Sequence, residues 1–295
     1  KLRKERLGEE NLEVADAFTD LAALLDDQGH YDAAEPLFRD ALRIRRKLLG
    51  DEHELVAESL KNVGVLLWRR GDLKGAEPLW RKALAMRRKL LGDEHQLVAD
   101  SLSDLGVLLR NKGDNAAAEQ LCREALAMRR KLLGDDHLSV GESLNNLGLL
   151  LRDKGDYAGA EALWRESLAL HRRVLGNEHH EVAKALKSLA MVLLDKRDLD
   201  AAELSIKEAL AMQRKLLGDD HAEAAFSQTV LAQVLLARGE TGAAESTLRE
   251  AMTSLRKALP ATHWMIAYTE SLLGGCLTVL GRYDEAEPLL LNAEA

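Results

Sequence analysis

Six histidines recur at one interval in this sequence: His53, His95, His137, His179, His221 and His263 stand 42 residues apart, with Asn11 in the same register. Imidazoles at regular spacing invite a metal reading, because a neutral ring nitrogen is a common zinc ligand. Zinc, however, needs its ligands about 2 Å from one centre. Successive copies lie a whole helix pair apart, about two interhelix spacings of 8–10 Å, so one ion cannot bridge them. His179 and His180 are neighbours, and adjacent helical residues diverge. The expectation is no metal and no cofactor, each histidine packing or hydrogen-bonding in a turn.

The charged residues are equally periodic. Acidic pairs such as Asp51–Glu52, Asp93–Glu94 and Asp135–Asp136 precede helices and complement the macrodipole. Basic triplets Arg45–Arg46–Lys47, Arg87–Arg88–Lys89 and Arg129–Arg130–Lys131 stand at helix ends for the same reason. Stacked, the triplets form either a solvated stripe paired with neighbouring acids or a nucleic-acid track. The net charge of −8 favours the first reading, with no nucleic acid and no membrane as partner. No phosphate loop, nucleophile elbow or zinc-protease motif is present, so the chain reads as not an enzyme. Cys122 and Cys276 are too far apart for a metal motif and fall where other copies place apolar residues. They read as buried thiols, compatible with a reducing, cytoplasmic setting.

The elements that position these residues follow from the repeat. Gly8, Gly50, Gly92, Gly134, Gly176 and Gly218 share the interval, as do Ala34, Ala76, Ala118, Ala160, Ala202, Ala244 and Ala286, each followed by Glu. In the second copy Val56, Leu60, Val63, Leu66 and Leu67 make one helical stripe over about 54–70. Gly71 ends that helix and Asp72 helps cap the next, about 74–90, striped by Leu79, Ala83, Met86 and Leu90. Pro78 sits early in it, where a missing N–H costs little. One pair cannot bury both apolar faces, whereas stacked pairs can. Gly64, Gly106 and Gly148 mark close packing, opposite large residues that vary as Phe38, Trp80, Cys122, Trp164, Ile206 and Leu248.

The predicted fold is therefore all-α, a superhelical solenoid of antiparallel helix-turn-helix repeats. Six full repeats cover 11–52, 53–94, 95–136, 137–178, 179–220 and 221–262, with partial repeats at 1–10 and 263–295. Lys1 to Gly8 aligns with the end of a second helix, and Asp284 to Ala295 begins one and stops short. Without polar capping helices the chain is expected to be a fragment of a longer protein. Apolar runs fall short of the roughly 18 residues of a membrane span, and Lys1–Gly8 has no apolar signal core.

Leu60, Val63, Gly64, Leu67, Ala76, Trp80 and Ala83 stand at spacing that resembles the tetratricopeptide repeat. The 42-residue period, and the run from Ala85 to His95, resemble its kinesin-light-chain type, widespread in bacterial repeat proteins. That subfamily usually has Pro after the histidine, whereas Glu54, Gln96, Leu138, His180, Ala222 and Trp264 stand there.

The resemblance implies that first helices line a concave groove that binds a peptide or protein segment. Carried over by position, the groove includes Lys61, Asn62, Arg69, Arg110, Asn145, Asn146, Arg152, Lys184, Lys187, Phe226 and Tyr268. An Asn position typical of that subfamily reads Asp20, Asn62, Asp104, Asn146, Ser188, Val230 and Leu272. Its amide donates and accepts, and so pairs with backbone of any sequence. A ligand with an acidic portion near Arg110, Arg152 and Lys187 and apolar anchors near Phe226 and Tyr268 is expected. Phe226 and Tyr268 burying against a missing neighbouring repeat is the alternative. A protein-binding scaffold is the leading reading, and end-to-end self-association of solenoid modules the second.

Overall fold

The computed structural model describes residues 11–294, which form fourteen α-helices and no strand. The reading of Lys1 to Gly8 lies outside the described residues. The chain divides into two compact units, 1–135 and 136–295. The first holds α1 (Leu12–Asp27), α2 (Tyr31–Leu49), α3 (Glu54–Arg69), α4 (Leu73–Leu91), α5 (Gln96–Asn111) and α6 (Asn115–Leu133). The second holds α7 (Leu138–Asp153), α8 (Tyr157–Leu175), α9 (His180–Asp195), α10 (Leu199–Leu217), α11 (Ala222–Ala237), α12 (Thr241–Ala258), α13 (Trp264–Val279) and α14 (Tyr283–Glu294). Odd-numbered helices are the first of each pair and even-numbered ones the second.

The helix ends follow local chemistry. His53 is extended (φ −146°, ψ 147°), and its Nδ1 accepts from the Leu55 amide at 3.1 Å, satisfying one of the four free N–H groups of α3. At the far end Gly71 turns left-handed (φ +84°). The Asp72 amide then donates back to Leu67 O and the Gly71 amide to Trp68 O, closing the last turn. Asp72 Oδ1 accepts from the Gly75 amide and opens α4. Asp114, Asp156 and Asp198 do the same for α6, α8 and α10.

Packing within each pair depends on a small residue facing a large one sixteen positions later. A β-carbon on Gly64 would collide with the Trp80 indole, one on Gly148 would lie 2.8 Å from the Trp164 ring, and one on Gly106 2.6 Å from Cys122 Sγ. Ala190 faces Ile206 by the same register, and all these large side chains are buried. In the second unit first helices also touch one another in succession, α7 with α9, α9 with α11 and α11 with α13. The first-helix face is therefore continuous within that unit.

Arg197 is the one non-glycine residue with positive φ (64°) among the described residues, and it occupies the Gly71 position of its repeat. A β-carbon in that region costs roughly 1–2 kcal/mol, partly offset by the greater unfolded-state freedom of glycine. Arg197→Gly is expected to stabilise the second unit by about 1 kcal/mol, read as a raised urea midpoint at unchanged slope.

Candidate binding site on the first helices

All six recurring histidines are helix caps. Nδ1 of His53, His95, His137, His179, His221 and His263 accepts the backbone N–H two residues on, and Asn11 Oδ1 does the same for Glu13. Among the described residues no three His, Cys, Asp or Glu side chains converge as a metal site. Cys122 and Cys276 are free and buried, and burial pushes the Cys122 thiol up to about 11.

The basic triplets split by depth. Their leading arginines, Arg45, Arg87 and Arg129, are buried. Arg45 donates to Asp16 Oδ1 (2.8 Å) and Ser59 Oγ (2.9 Å), Arg87 to Ser101 Oγ (2.8 Å) and Glu54 Oε1 (3.0 Å), and Arg129 to Asp100 Oδ1 (2.7 Å). The remaining members lie outside and meet acids: Arg46 with Asp51, Arg88 with Glu124, Lys89 with Glu52 and Lys131 with Glu94. The outer stripe is an ion-pair lattice.

The same holds for most cations expected to meet a ligand. In the first unit Arg69 Nη1 reaches Asp26 (3.0 Å) and Asp27 (3.1 Å), and Lys61 lies 3.3 Å from Asp104. In the second unit Arg152 Nε donates to Asp195 (2.5 Å), Lys187 to Glu223 (2.8 Å) and Lys184 to Glu181 (3.1 Å). Asn145 Oδ1 accepts from Trp164 Nε1 at 3.1 Å and from Ser188 at 3.4 Å. Asn62, Arg110 and Asn146 are half-buried on α3, α5 and α7. Arg69 with Asp26 and Asp27, Lys61–Asp104, Arg152–Asp195, Lys187–Glu223 and Asn145–Ser188 each join one first helix to the next and stitch the face together.

Phe226 is only 7% exposed. Trp264 covers it edge-on at 5.1 Å between ring centroids, Tyr268 lies at 6.1 Å, and Lys187 Nζ sits 5.4 Å from its centre. What solvent meets is Trp264, 57% exposed, and Tyr268, 38% exposed, one turn apart on α13. Tyr268 and Phe226 occupy the repeat position of Asp16 and Asp100, the acids that serve buried arginines. Trp264 was legible only as the residue replacing a family proline.

The tetratricopeptide-repeat family model matches residues 13–89, 55–131, 97–163, 140–215 and 205–257. The chain belongs to the tetratricopeptide-repeat family. No curated protein matches it. Among solved structures it is similar to BtubC (BKLC) of P. vanneervenii, 22% identical, with 76% of this chain and 89% of that one covered and a TM-score of 0.65. A Podosopora anserina protein described by nearly identical kinesin-light-chain TPR-like repeats is 23% identical, covering 70% and 98%, with a TM-score of 0.60. A STAND ATPase with a tetratricopeptide repeat sensor from Pyrococcus horikoshii is 14% identical, covering 95% and 41%, with a TM-score of 0.66. At these identities the likeness is one of fold.

The buried arginine column of this tetratricopeptide-repeat protein gives way to His171 in the second unit, and then to Gln213 and Leu255. Gly141 makes room for the imidazole, since a β-carbon there would lie 2.5 Å from Nε2. Burial holds the His171 pKa below its ordinary value; Glu181 opposes this, while Lys184, His179 and His180 reinforce it. Because the folded state prefers the neutral ring, the stability it contributes is full above about pH 6.5, the ordinary imidazole value. That stability is lost as pH falls through the lower folded pKa. His171→Gln, the residue of the next repeat, is expected to lose less stability than the parent between pH 7.5 and 5 in urea unfolding.

Proposed function

We propose that this chain is a non-enzymatic interaction scaffold that takes a segment of a partner protein along its first-helix faces, anchored at Trp264 and Tyr268. The observation that carries this reading is the exposed aromatic pair on α13. The apolar residues of α11 and α13 run round each helix rather than forming one stripe. A helix apolar on all sides belongs in a covered environment, and aromatic anchors dominate interface energies. Repeats of this family generally mediate protein–protein contact, which supports the class. Asn62 and Asn146 supply amides suited to a ligand backbone. An acidic ligand portion near Arg110, Arg152 and Lys187 would compete with Asp195 and Glu223 for the latter two, so the anchor is placed on the aromatic face.

A second reading has one observation in its favour. Val279 (75% exposed), Leu280, Tyr283 and Leu291 expose apolar surface on α13 and α14, which supports end-to-end self-association. Mass that rises with concentration would favour it.

The test is a random-peptide selection on the intact chain and on Trp264→Ala/Tyr268→Ala. Peptides enriched by the parent are expected to lose about 2 kcal/mol of affinity or more on the variant. Equal enrichment by both proteins would remove the aromatic anchor from the account.

A further inference from the structure

In the second unit, four positions that meet at one point of the repeat depart from their counterparts together. His171 stands where Arg45, Arg87 and Arg129 do, and Ser167 where other second helices have Ala41, Ala83, Ala125, Ala209 and Ala251. Gly141 replaces an alanine present at this position in all the other first helices. Ala185 takes the place of Ser59 and Ser101, the hydroxyls that receive buried guanidinium groups. Three of these changes remove side-chain volume. A cavity of about 540 Å³ lies there, between the start of α7, the end of α8 and the start of α9.

Its polar groups have unmet needs of opposite kind. Ser167, 1% exposed, donates to Gly141 O at 3.4 Å, so its oxygen meets His171 Nδ1 (3.5 Å) as an acceptor. Nδ1 therefore carries the imidazole proton and Nε2 the lone pair. His171 is 5% exposed, Nε2 faces Gly141, and among the described residues nothing donates to it. Asn145 stands one turn beyond Gly141. The Trp164 indole can only donate, which fixes Oδ1 of Asn145 towards it, and the Asn145 NH2 donates to none of the described residues. A buried acceptor left without a donor normally has an explanation, and a ligand group is one.

Charge narrows the occupant. Lys184 stands where Arg45 has Glu58, so a further cation is repelled, while Glu142 and Glu181 on the rim repel an anion. A neutral group remains, with one proton for Nε2 and one lone pair for Asn145. Leu138, Leu175 and Ala185 supply apolar walls for its body. A phenol combines an apolar ring with a hydroxyl that both donates and accepts.

We infer that this cavity receives a tyrosine side chain of a partner segment, its hydroxyl donating to His171 Nε2 and accepting from Asn145 Nδ2. The site shares no residue with the Trp264–Tyr268 face, and it rests on the scaffold reading only for the partner being a protein.

The probe is N-acetyltyrosinamide, with N-acetylphenylalaninamide as its counterpart, titrated against the intact chain by NMR of imidazole and backbone signals. The tyrosine probe is expected to shift the His171 and Gly141 signals. It should bind about tenfold more tightly than the phenylalanine probe, the worth of one hydrogen bond. His171→Leu, which installs the residue of the sixth repeat, should erase that preference. Gly141→Ala restores the alanine of the other repeats but sets a β-carbon 2.5 Å from Nε2, so the fold should be kept and the binding lost. A hydroxyl donating to Nε2 occupies the lone pair that a proton needs, so the tyrosine probe should lower the His171 pKa further than the phenylalanine probe does. The titratable groups around it are Glu142 on α7 and His179, His180, Glu181 and Lys184 at the start of α9, and the phenylalanine probe controls for their displacement. Equal affinity for the two probes, a tyrosine preference kept in His171→Leu, a raised His171 pKa or no shift at all overturns the proposal. Shifts confined to Trp264 and Tyr268 also overturn it but leave the scaffold reading in place, which falls only with the peptide selection above.

Discussion

The close approach of each second helix to its first helix is the contact from which the rest of the structure follows. Gly64 lets the Trp80 indole lie directly on the α3 backbone, where its Nε1 donates to Lys61 O at 3.0 Å. Gly148 likewise makes room for the Trp164 indole, whose Nε1 donates to Asn145 Oδ1. Interiors packed at crystal-like density tolerate neither a void nor an extra methyl at such a point. The pair geometry is thus fixed repeat by repeat, and with it the direction in which each first helix presents its remaining face. Variation in the large partner, from Trp80 to Cys122 to Ile206, shows that the register is kept while the volume is retuned.

Two polar systems are built on that frame. Buried arginines of second helices tie neighbouring first helices together through Asp16, Ser59, Asp100 and Ser101. Diagonal pairs such as Arg69–Asp26 and Arg152–Asp195 join first helices directly. A buried charge with its partner removed is strongly destabilising, so the buried arginines are committed to the fold before any ligand arrives. In the second unit the first system is replaced: His171, Gln213 and Leu255 stand at the arginine positions, and Lys184, Phe226 and Tyr268 at the repeat position of Asp16 and Asp100. Tyr268 of the exposed aromatic pair stands at the position that Asp16 and Asp100 fill in the first unit.

Much of this was legible in the sequence because it is periodic. Helices expected at about 54–70 and 74–90 are found at Glu54–Arg69 and Leu73–Leu91, since Gly71, Asp72 and Gly92 punctuate the chain by local chemistry. Periodicity misleads where a residue's role depends on the next repeat. Lys61, Arg69, Arg152 and Lys187 look like ligand-facing cations in a single helix, and only the neighbouring copy shows Asp104, Asp26, Asp195 and Glu223 against them. Arg45 and Arg46 are adjacent in one triplet, yet one is core and the other surface, a difference that helical phase alone encodes. Phe226 was legible as apolar but not as covered, because Trp264 comes from the following repeat.

The measurement that tests the scaffold account most directly is photo-cross-linking of a selected peptide from two positions. One is position 264 on the first-helix face of α13. The other is position 204 on α10, where Leu204 is 72% exposed on a second helix. The account predicts cross-links from position 264 and none from position 204. Cross-links from position 204 alone would place the partner on the second helices and contradict it.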